Sequence, residues 1–156
     1  MSQITFIRHA KVKIDNKRRI SVYALPEWSM AYDQAPLDPK HQPPKSLFNM
    51  VKDADMVLTS TLERSIASAE WLGLTIDEKS PVFIEAEIPE PRLFPKWLKL
   101  RPKTWLTILY LLMMSGLGNR DASLIRSKTR AKETAVKLDG LSAENRHIVV
   151  VGHGGI

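Results

Sequence analysis

Thr5-Phe6-Ile7-Arg8-His9-Ala10 is an apolar run that ends in an adjacent arginine and histidine. Its counterpart near the other end of the chain is Val149-Val150-Val151-Gly152-His153-Gly154-Gly155. Each stretch predicts a short buried strand, because bulky and β-branched residues continue for several positions and then stop at a polar or glycine-containing break. Each strand therefore brings a histidine to its C-terminal end. Ligands bind outside those ends in an open α/β sheet, so the two histidines are predicted to meet at one site.

The length and composition indicate one domain. A chain of 156 residues with 44% apolar content is long enough to bury its own core. The absence of cysteine excludes a disulfide framework. The N-terminus lacks the basic and apolar segments of a secretion signal, so we expect a cytoplasmic protein.

The net charge of +6 favours anionic partners. A basic cluster directly after the first histidine is explained equally well by recruitment of an anionic substrate and by a solvated face. A second basic cluster, before an apolar segment, is better explained as a solvated face. The first cluster contains Lys11, Lys13, Lys17, Arg18 and Arg19, and the second contains Lys96, Lys99, Arg101 and Lys103.

Strand and helix patterns fill the chain between the two histidines. Prolines in residues 11–45 predict a long loop without a long helix, with a short helix at about 44–51. Residues 56–60 predict a second buried strand and residues 81–84 a third, shorter one. Residues 62–72 predict an amphipathic helix that stops before Gly73 and carries Arg64 in its first turn.

The most apolar stretch, residues 104–117, is too short for a transmembrane helix, which needs about 20 residues. It predicts a core or interface helix, while attachment to a membrane surface is less favoured. A long helix is predicted at about 121–141. The acidic, proline-bounded stretch that contains Glu85, Glu87 and Glu90 predicts a constrained loop, either a proton-donor site or an acidic surface turn.

Four elements in this order resemble the histidine phosphatase superfamily, which has the phosphoglycerate mutase-like fold. They are Arg8-His9, the Ser60-Thr61-Leu62-Glu63-Arg64 helix start, the acidic loop, and Gly152-His153-Gly154-Gly155. The resemblance implies a three-layer α/β/α sandwich with a mostly parallel central sheet, formed by residues 1–156 as one domain with a variable insertion at about 90–120. The family continues beyond the position of Ile156 into a helix and more sheet, so we expect the usual C-terminal elements to be missing here.

The resemblance also implies a mechanism and a set of site residues. His9 is expected to attack the phosphoryl group and form a phosphohistidine, while Glu87, with Glu85 in reserve, serves as the acid. The phosphate ligands are expected to be Arg8, Arg64, His153 and Gly154. No cofactor and no metal are expected, because arginines supply the positive charge.

Several alternatives stay open. The favoured function is a metal-independent phosphomonoesterase acting on a phosphorylated small molecule or a phosphoprotein. A catalytically weak or inactive phospho-ligand-binding protein and a phosphoglycerate mutase-type phosphotransferase are the alternatives. We expect neither nucleic-acid binding nor stable membrane insertion, and self-association into a homo-oligomer stays open.

Overall fold

A four-stranded parallel sheet lies at the centre of the part of the chain that our computed structural model describes, residues 2–85, 94–115 and 122–154. The strand order is β1-β6-β3-β4, and β2 pairs with β5 in a separate antiparallel ribbon. In chain order the elements are β1 (Gln3–Arg8), β2 (Ile20–Ser21), α1 (Leu25–Gln34), α2 (Lys45–Val51), β3 (Met56–Thr59), α3 (Glu63–Trp71), β4 (Glu78–Lys79), β5 (Lys99–Leu100), α4 (Pro102–Ser115), α5 (Ala122–Ser142) and β6 (His147–Gly152).

Helices cover both faces of this sheet. Val149 and Val151 of β6 belong to a core cluster with residues of α2 and α3. Ile148 and Val150, which point to the opposite face, belong to a second cluster with Leu138 of α5. An unbroken apolar strand is what a parallel sheet covered on both faces requires, because side chains alternate between two dry interfaces. The predicted three-layer α/β/α architecture is confirmed.

The paired strands β1 and β6 are in a register that joins Arg8 to Gly152 at their C-terminal ends. The backbone N–H of His9 continues the ladder by donating to the Gly152 carbonyl at 2.9 Å. Because the strands are parallel and end together, the residues that follow them lie at the same edge of the sheet.

A third cluster joins α1, α4 and the β2–β5 ribbon. Its buried members include Val22, Leu25, Trp105 and Leu109, and the Trp105 indole donates to the Ile20 carbonyl at 2.8 Å. Helix α1 packs against both α4 and α3, so this cluster lies next to the helix that carries Arg64. It includes part of the predicted insertion at about 90–120.

Helix α4 is apolar on more than one face. Trp105 and Leu109 are buried, whereas Leu111 and Met114 are 62% and 78% exposed. Among the described residues, no helix combines the length and the apolar character that crossing a bilayer demands.

Two local predictions from the sequence are wrong. Residues 11–45 contain the ten-residue helix α1, and Pro26 is tolerated because it occupies the first turn, where a backbone N–H has no helical partner. Residues 81–84 were predicted to be the third strand of the central sheet, but Pro81–Phe83 form a 3-10 turn. The strand that pairs there is β4, just before them. Pro81 has no N–H for the ladder, which ends at Ser80 with a 2.9 Å bond to the Thr59 carbonyl.

Candidate active site

The two histidines predicted to meet do lie together at the C-terminal edge of the sheet. The ring centroids of His9 and His153 are 5.2 Å apart, and each residue is only 6% exposed. The apolar stretches that form β1 and β6 explain this arrangement, because parallel pairing in register brings the residues after the strand ends side by side.

The surroundings of His9 define its tautomer. Its Nδ1 lies 2.7 Å from the Ala10 carbonyl, which can only accept, so Nδ1 carries the hydrogen. The Nε2 lone pair then accepts a hydrogen bond from Nε of Arg64 at 3.3 Å. Burial, together with the charges of Arg64 and Arg8, outweighs the Ala10 hydrogen bond and lowers the pKa of His9 to about 4. His9 is therefore neutral at pH 7, with a lone pair on Nε2.

His153 has one buried ring nitrogen without a partner among the described residues. Its Nε2 lies 2.8 Å from the Ser60 hydroxyl, whose oxygen also accepts from the Leu62 backbone N–H at 3.3 Å. When Ser60 donates to Nε2, the hydrogen of His153 is on Nδ1; when Ser60 accepts from Nε2, Nδ1 is an acceptor. That atom is buried and has no partner among the described residues. Burial, then the charges of Arg64, His9 and Arg8, lowers the pKa of His153 to about 3, so this ring is also neutral at pH 7.

Arg64 lies in the first turn of α3 and is only 3% exposed. Its NH1 forms a short ion pair with Asp33 of α1. Its NH2 lies 3.6 Å from a carboxylate oxygen of Glu85, and its guanidinium lies 5.1 Å from the ring centroid of Tyr32. Neighbouring carboxylates and an aromatic face are the partners that a buried guanidinium requires.

Ser68 connects α3 to the loop that follows β1. Its hydroxyl donates to the Arg64 carbonyl at 2.5 Å and accepts from the Ala10 backbone N–H at 2.8 Å. The backbone around His9 is thereby tied to the helix that carries Arg64.

Arg8 and Gly154 occupy the exposed side of the same edge. A Cβ built on Gly154 would lie 3.4 Å from Cδ and Nε of Arg8, so the arginine side chain covers this glycine. The phosphate ligands predicted from the sequence, Arg8, Arg64, His153 and Gly154, are thus brought together around His9.

A cavity of about 400 Å³ opens beside these residues. It lies between α1, α3 and α4, and Tyr110 of α4 lines it. Burial, followed by the negative charge of Glu85, raises the pKa of this tyrosine to about 12. A smaller cavity of about 210 Å³ adjoins Arg8 and His9, and Lys11 and Lys103, one from each basic cluster, contribute to its walls. The lining of the larger cavity includes Arg8, Trp28, Tyr32, Asp33, Arg64, Glu85, Lys103 and Tyr110.

A larger groove of about 630 Å³ runs between β1 and α5. It is mostly apolar, with Phe6 and Leu138 on its walls, and it reaches His153 and Gly154 only at one end. The 400 Å³ cavity is the better candidate for a ligand site because it combines cations, carboxylates and aromatic rings.

Glu85 and Glu87 are the two candidates for the acid. Glu85, the reserve choice for the acid, lines the cavity and lies beside Arg64. Glu87, the first choice, lies outside the described residues.

Reasoning from the sequence missed three residues of the site: Tyr32, Asp33 and Ser60. Tyr32 and Asp33 belong to α1, which the prolines of residues 11–45 argued against. Ser60 was named only as the first residue of the helix-start motif, without a role in the site. The contact between Ser60 and His153 cannot be predicted from a single sequence, because it depends on the distance between two strand ends.

Among the described residues, no group of three or more His, Cys, Asp or Glu side chains is arranged to hold a metal ion.

Three solved structures have similar folds. One is the protein of open reading frame Rv3214 from Mycobacterium tuberculosis, with a TM-score of 0.58 and 16% identity over 96% of this chain and 72% of that chain. A second is a candidate alpha-ribazole-5'-P phosphatase from Escherichia coli K-12, with a TM-score of 0.58 and 16% identity over 98% of this chain and 74% of that one. The third is the mycobacterial glucosyl-3-phosphoglycerate phosphatase Rv2419c, with a TM-score of 0.52 and 16% identity over 97% and 74% of the two chains.

No family model and no curated protein matches the sequence. The three solved structures belong to the histidine phosphatase superfamily. The chain therefore shares the phosphoglycerate mutase-like fold of these three structures.

Proposed function

We propose that this chain is a phosphomonoesterase that works through a phosphohistidine on His9 and needs no metal ion. The observation that carries the proposal is the state of His9: a buried, neutral imidazole whose Nε2 lone pair faces Arg64. Two of the structural neighbours are named as phosphatases, which supports the same class of reaction.

In the first step, Nε2 of His9 gives up its hydrogen bond from Arg64 and attacks phosphorus, and the bond from phosphorus to the ester oxygen breaks. The hydrogen on Nδ1 and the Ala10 carbonyl stabilise the positive charge that develops on the ring. Arg8, Arg64, Nδ1 of His153 and the Gly154 backbone N–H are the proposed ligands of the phosphoryl oxygens. Charge-assisted bonds from guanidinium groups suit this task, because phosphoryl transfer depends mainly on alignment and charge stabilisation.

The departing ester oxygen needs a proton. Glu85 in its protonated form is our choice for the donor, since its carboxyl group reaches the cavity beside Arg64. In the second step the same carboxylate takes a proton from water as the water attacks phosphorus, and the bond between phosphorus and His9 breaks. Inorganic phosphate is released, and His9 returns to its neutral form.

The cavity supports a compact leaving group. Its volume of about 400 Å³ lies near the lower end of the range found for small-molecule sites. A phosphorylated small molecule is therefore the favoured substrate, and a phosphoprotein would have to present its phosphorylated side chain from an extended segment.

The test is hydrolysis of an aryl phosphate in the presence of a chelator. We expect turnover by the wild-type chain and a loss of at least about a thousandfold in His9→Ala. The matched control is His147→Gln, because His147 lies at the opposite end of β6, where Thr5 contacts it. Phosphate binding by the folded wild-type chain without any turnover would favour the phospho-ligand-binding alternative.

A further inference from the structure

All three nitrogens of the Arg64 guanidinium already face acceptors within the protein. Nε donates to His9 at 3.3 Å, NH1 is paired with Asp33, and NH2 lies 3.6 Å from Glu85. Arg64 is 3% exposed, so this arrangement compensates a buried charge in the site as it stands.

A phosphoryl group bound by Arg64 competes with these acceptors. A guanidinium has five N–H groups and holds a phosphate through two of them at once, so donors remain on NH1 and NH2. A carboxylate on NH1 nevertheless competes for its hydrogens and repels the incoming negative charge. A phosphate that uses NH1 therefore has to displace or shift that carboxylate.

Asp33 is the carboxylate that blocks a donor directly. It is hydrogen-bonded to NH1, whereas Glu85 lies at 3.6 Å, beyond hydrogen-bond distance, and acts through its charge. The Glu85 backbone is also anchored, because its carbonyl accepts from Arg130 of α5 at 3.1 Å. The Asp33 side chain is 38% exposed and lies in the last turn of α1, outside the central sheet.

We propose that Asp33 is an internal anion that occupies the phosphate position on Arg64 in the empty site and competes with phosphate for it. The inference rests on the proposed function, because it takes Arg64 to be a phosphate ligand. Asp33 thereby sets the affinity for phosphate, and its return to Arg64 after turnover speeds release of inorganic phosphate. Release from Arg64 also frees the end of α1, so the position of that helix is coupled to occupancy of the site.

The experiment compares the full chain with Asp33→Asn, which keeps the shape of the side chain and removes its charge. Calorimetric titration with inorganic phosphate should give a Kd about tenfold lower for the variant, since a like charge within a few ångströms is removed. The inhibition constant for phosphate against an aryl phosphate substrate should fall by the same factor. If release of phosphate limits turnover, both kcat and KM should be lower in Asp33→Asn than in wild type.

The matched control is Asp53→Asn. Asp53 is exposed and precedes β3, so it lies at the opposite edge of the sheet. The control removes the same formal charge and should leave phosphate affinity within about twofold of wild type, which separates a local effect from a change in net charge.

An unchanged or weaker phosphate affinity in Asp33→Asn would overturn the inference. A weaker affinity would indicate instead that Asp33 orients Arg64 for phosphate binding. If hydrolysis and phosphate binding by wild type are intact in that case, the proposed function survives. If the wild-type chain neither binds phosphate nor hydrolyses the substrate, both the inference and the proposed function are overturned.

A second measurement does not depend on how the variant folds. Hydrogen exchange in wild type should increase in the last turn of α1 when inorganic phosphate is added, because Asp33 loses its partner. Unchanged exchange there, with phosphate bound, would contradict the proposed displacement.

Discussion

The Ser60 hydroxyl and Nε2 of the buried His153 lie 2.8 Å apart. This contact joins the end of β3 to the residue after β6, and the Nδ1 atom of His153 is buried without a partner among the described residues. In the proposed phosphatase Ser60 donates to Nε2, so Nδ1 carries the hydrogen and offers a preorganised hydrogen bond to an anion next to His9.

Replacing Ser60 by alanine tests this relationship. Loss of the hydroxyl leaves Nε2 of His153 without its donor and frees the ring to change tautomer, so we expect kcat to fall about tenfold with a smaller change in KM. The free energy of unfolding should fall by about 1–2 kcal/mol. Steady-state kinetics and urea denaturation provide the two values.

The control for that variant is Ser142→Ala, whose hydroxyl bonds the Asp139 carbonyl within α5. Loss of stability in Ser60→Ala without any change in kcat would limit Ser60 to a structural role.

Replacing Arg64 by lysine tests the need for a guanidinium. Lysine keeps the charge but can neither bind two phosphoryl oxygens in a fixed geometry nor contact His9, Asp33 and Glu85 together. We expect kcat/KM for an aryl phosphate to fall about a hundredfold, and titration should show weaker phosphate binding. Arg146→Lys, an exposed change at the opposite edge of the sheet, should leave both values near wild type. Full activity in Arg64→Lys would rule out bidentate binding by Arg64.

The identity of the acid is tested by Glu85→Gln and Glu87→Gln with two classes of ester. A good aryl leaving group departs without a proton, whereas an alkyl oxygen needs one, so loss of the acid should affect alkyl phosphates most. We expect Glu85→Gln to lower kcat/KM about a hundredfold for an alkyl phosphate and less than about tenfold for an activated aryl phosphate. The same leaving-group dependence in Glu87→Gln alone would assign the role to Glu87.

Acid should destabilise the folded chain through the buried histidines. The pKa of His9 falls from 6.5 to about 4 on folding, so between these pH values the unfolded chain binds a proton that the folded chain does not. The free energy of unfolding should therefore fall as the pH falls through this range, by about 3 kcal/mol from His9. His153, with a pKa lowered to about 3, acts in the same direction.

Denaturation midpoints of wild type and His9→Gln, measured between pH 7 and pH 4, check this effect. The variant should lose part of the dependence, because glutamine does not titrate. Equal pH dependence in the two proteins would mean that His9 is protonated in the folded state at mildly acidic pH.

The sheet was predictable from the sequence, whereas part of the site was not. The apolar runs before His9 and His153 defined two strands, and parallel pairing brought their ends together as predicted. Arg64 was placed in the first turn of its helix correctly, because Gly73 and the apolar spacing define that helix.

The failures have physical causes. Helix α1 was missed because Pro26 was taken as a helix breaker, although it fits the first turn; Asp33 and Tyr32 were lost with it. The third strand was assigned to the apolar residues 81–84, but tertiary pairing selected Glu78–Lys79 beside β3. Hydrogen bonds that fix a tautomer, such as the one from His9 to Ala10, depend on distances that no single sequence contains.

Trapping the intermediate shows directly whether His9 becomes phosphorylated. The chain would be mixed with an aryl phosphate and a chelator, quenched within milliseconds in alkali, and analysed by peptide mass spectrometry for acid-labile phosphate. We expect phosphate on the peptide that contains His9, absent in His9→Ala and retained in His147→Gln. Turnover with no trapped phosphate, or phosphate on another residue, would contradict it.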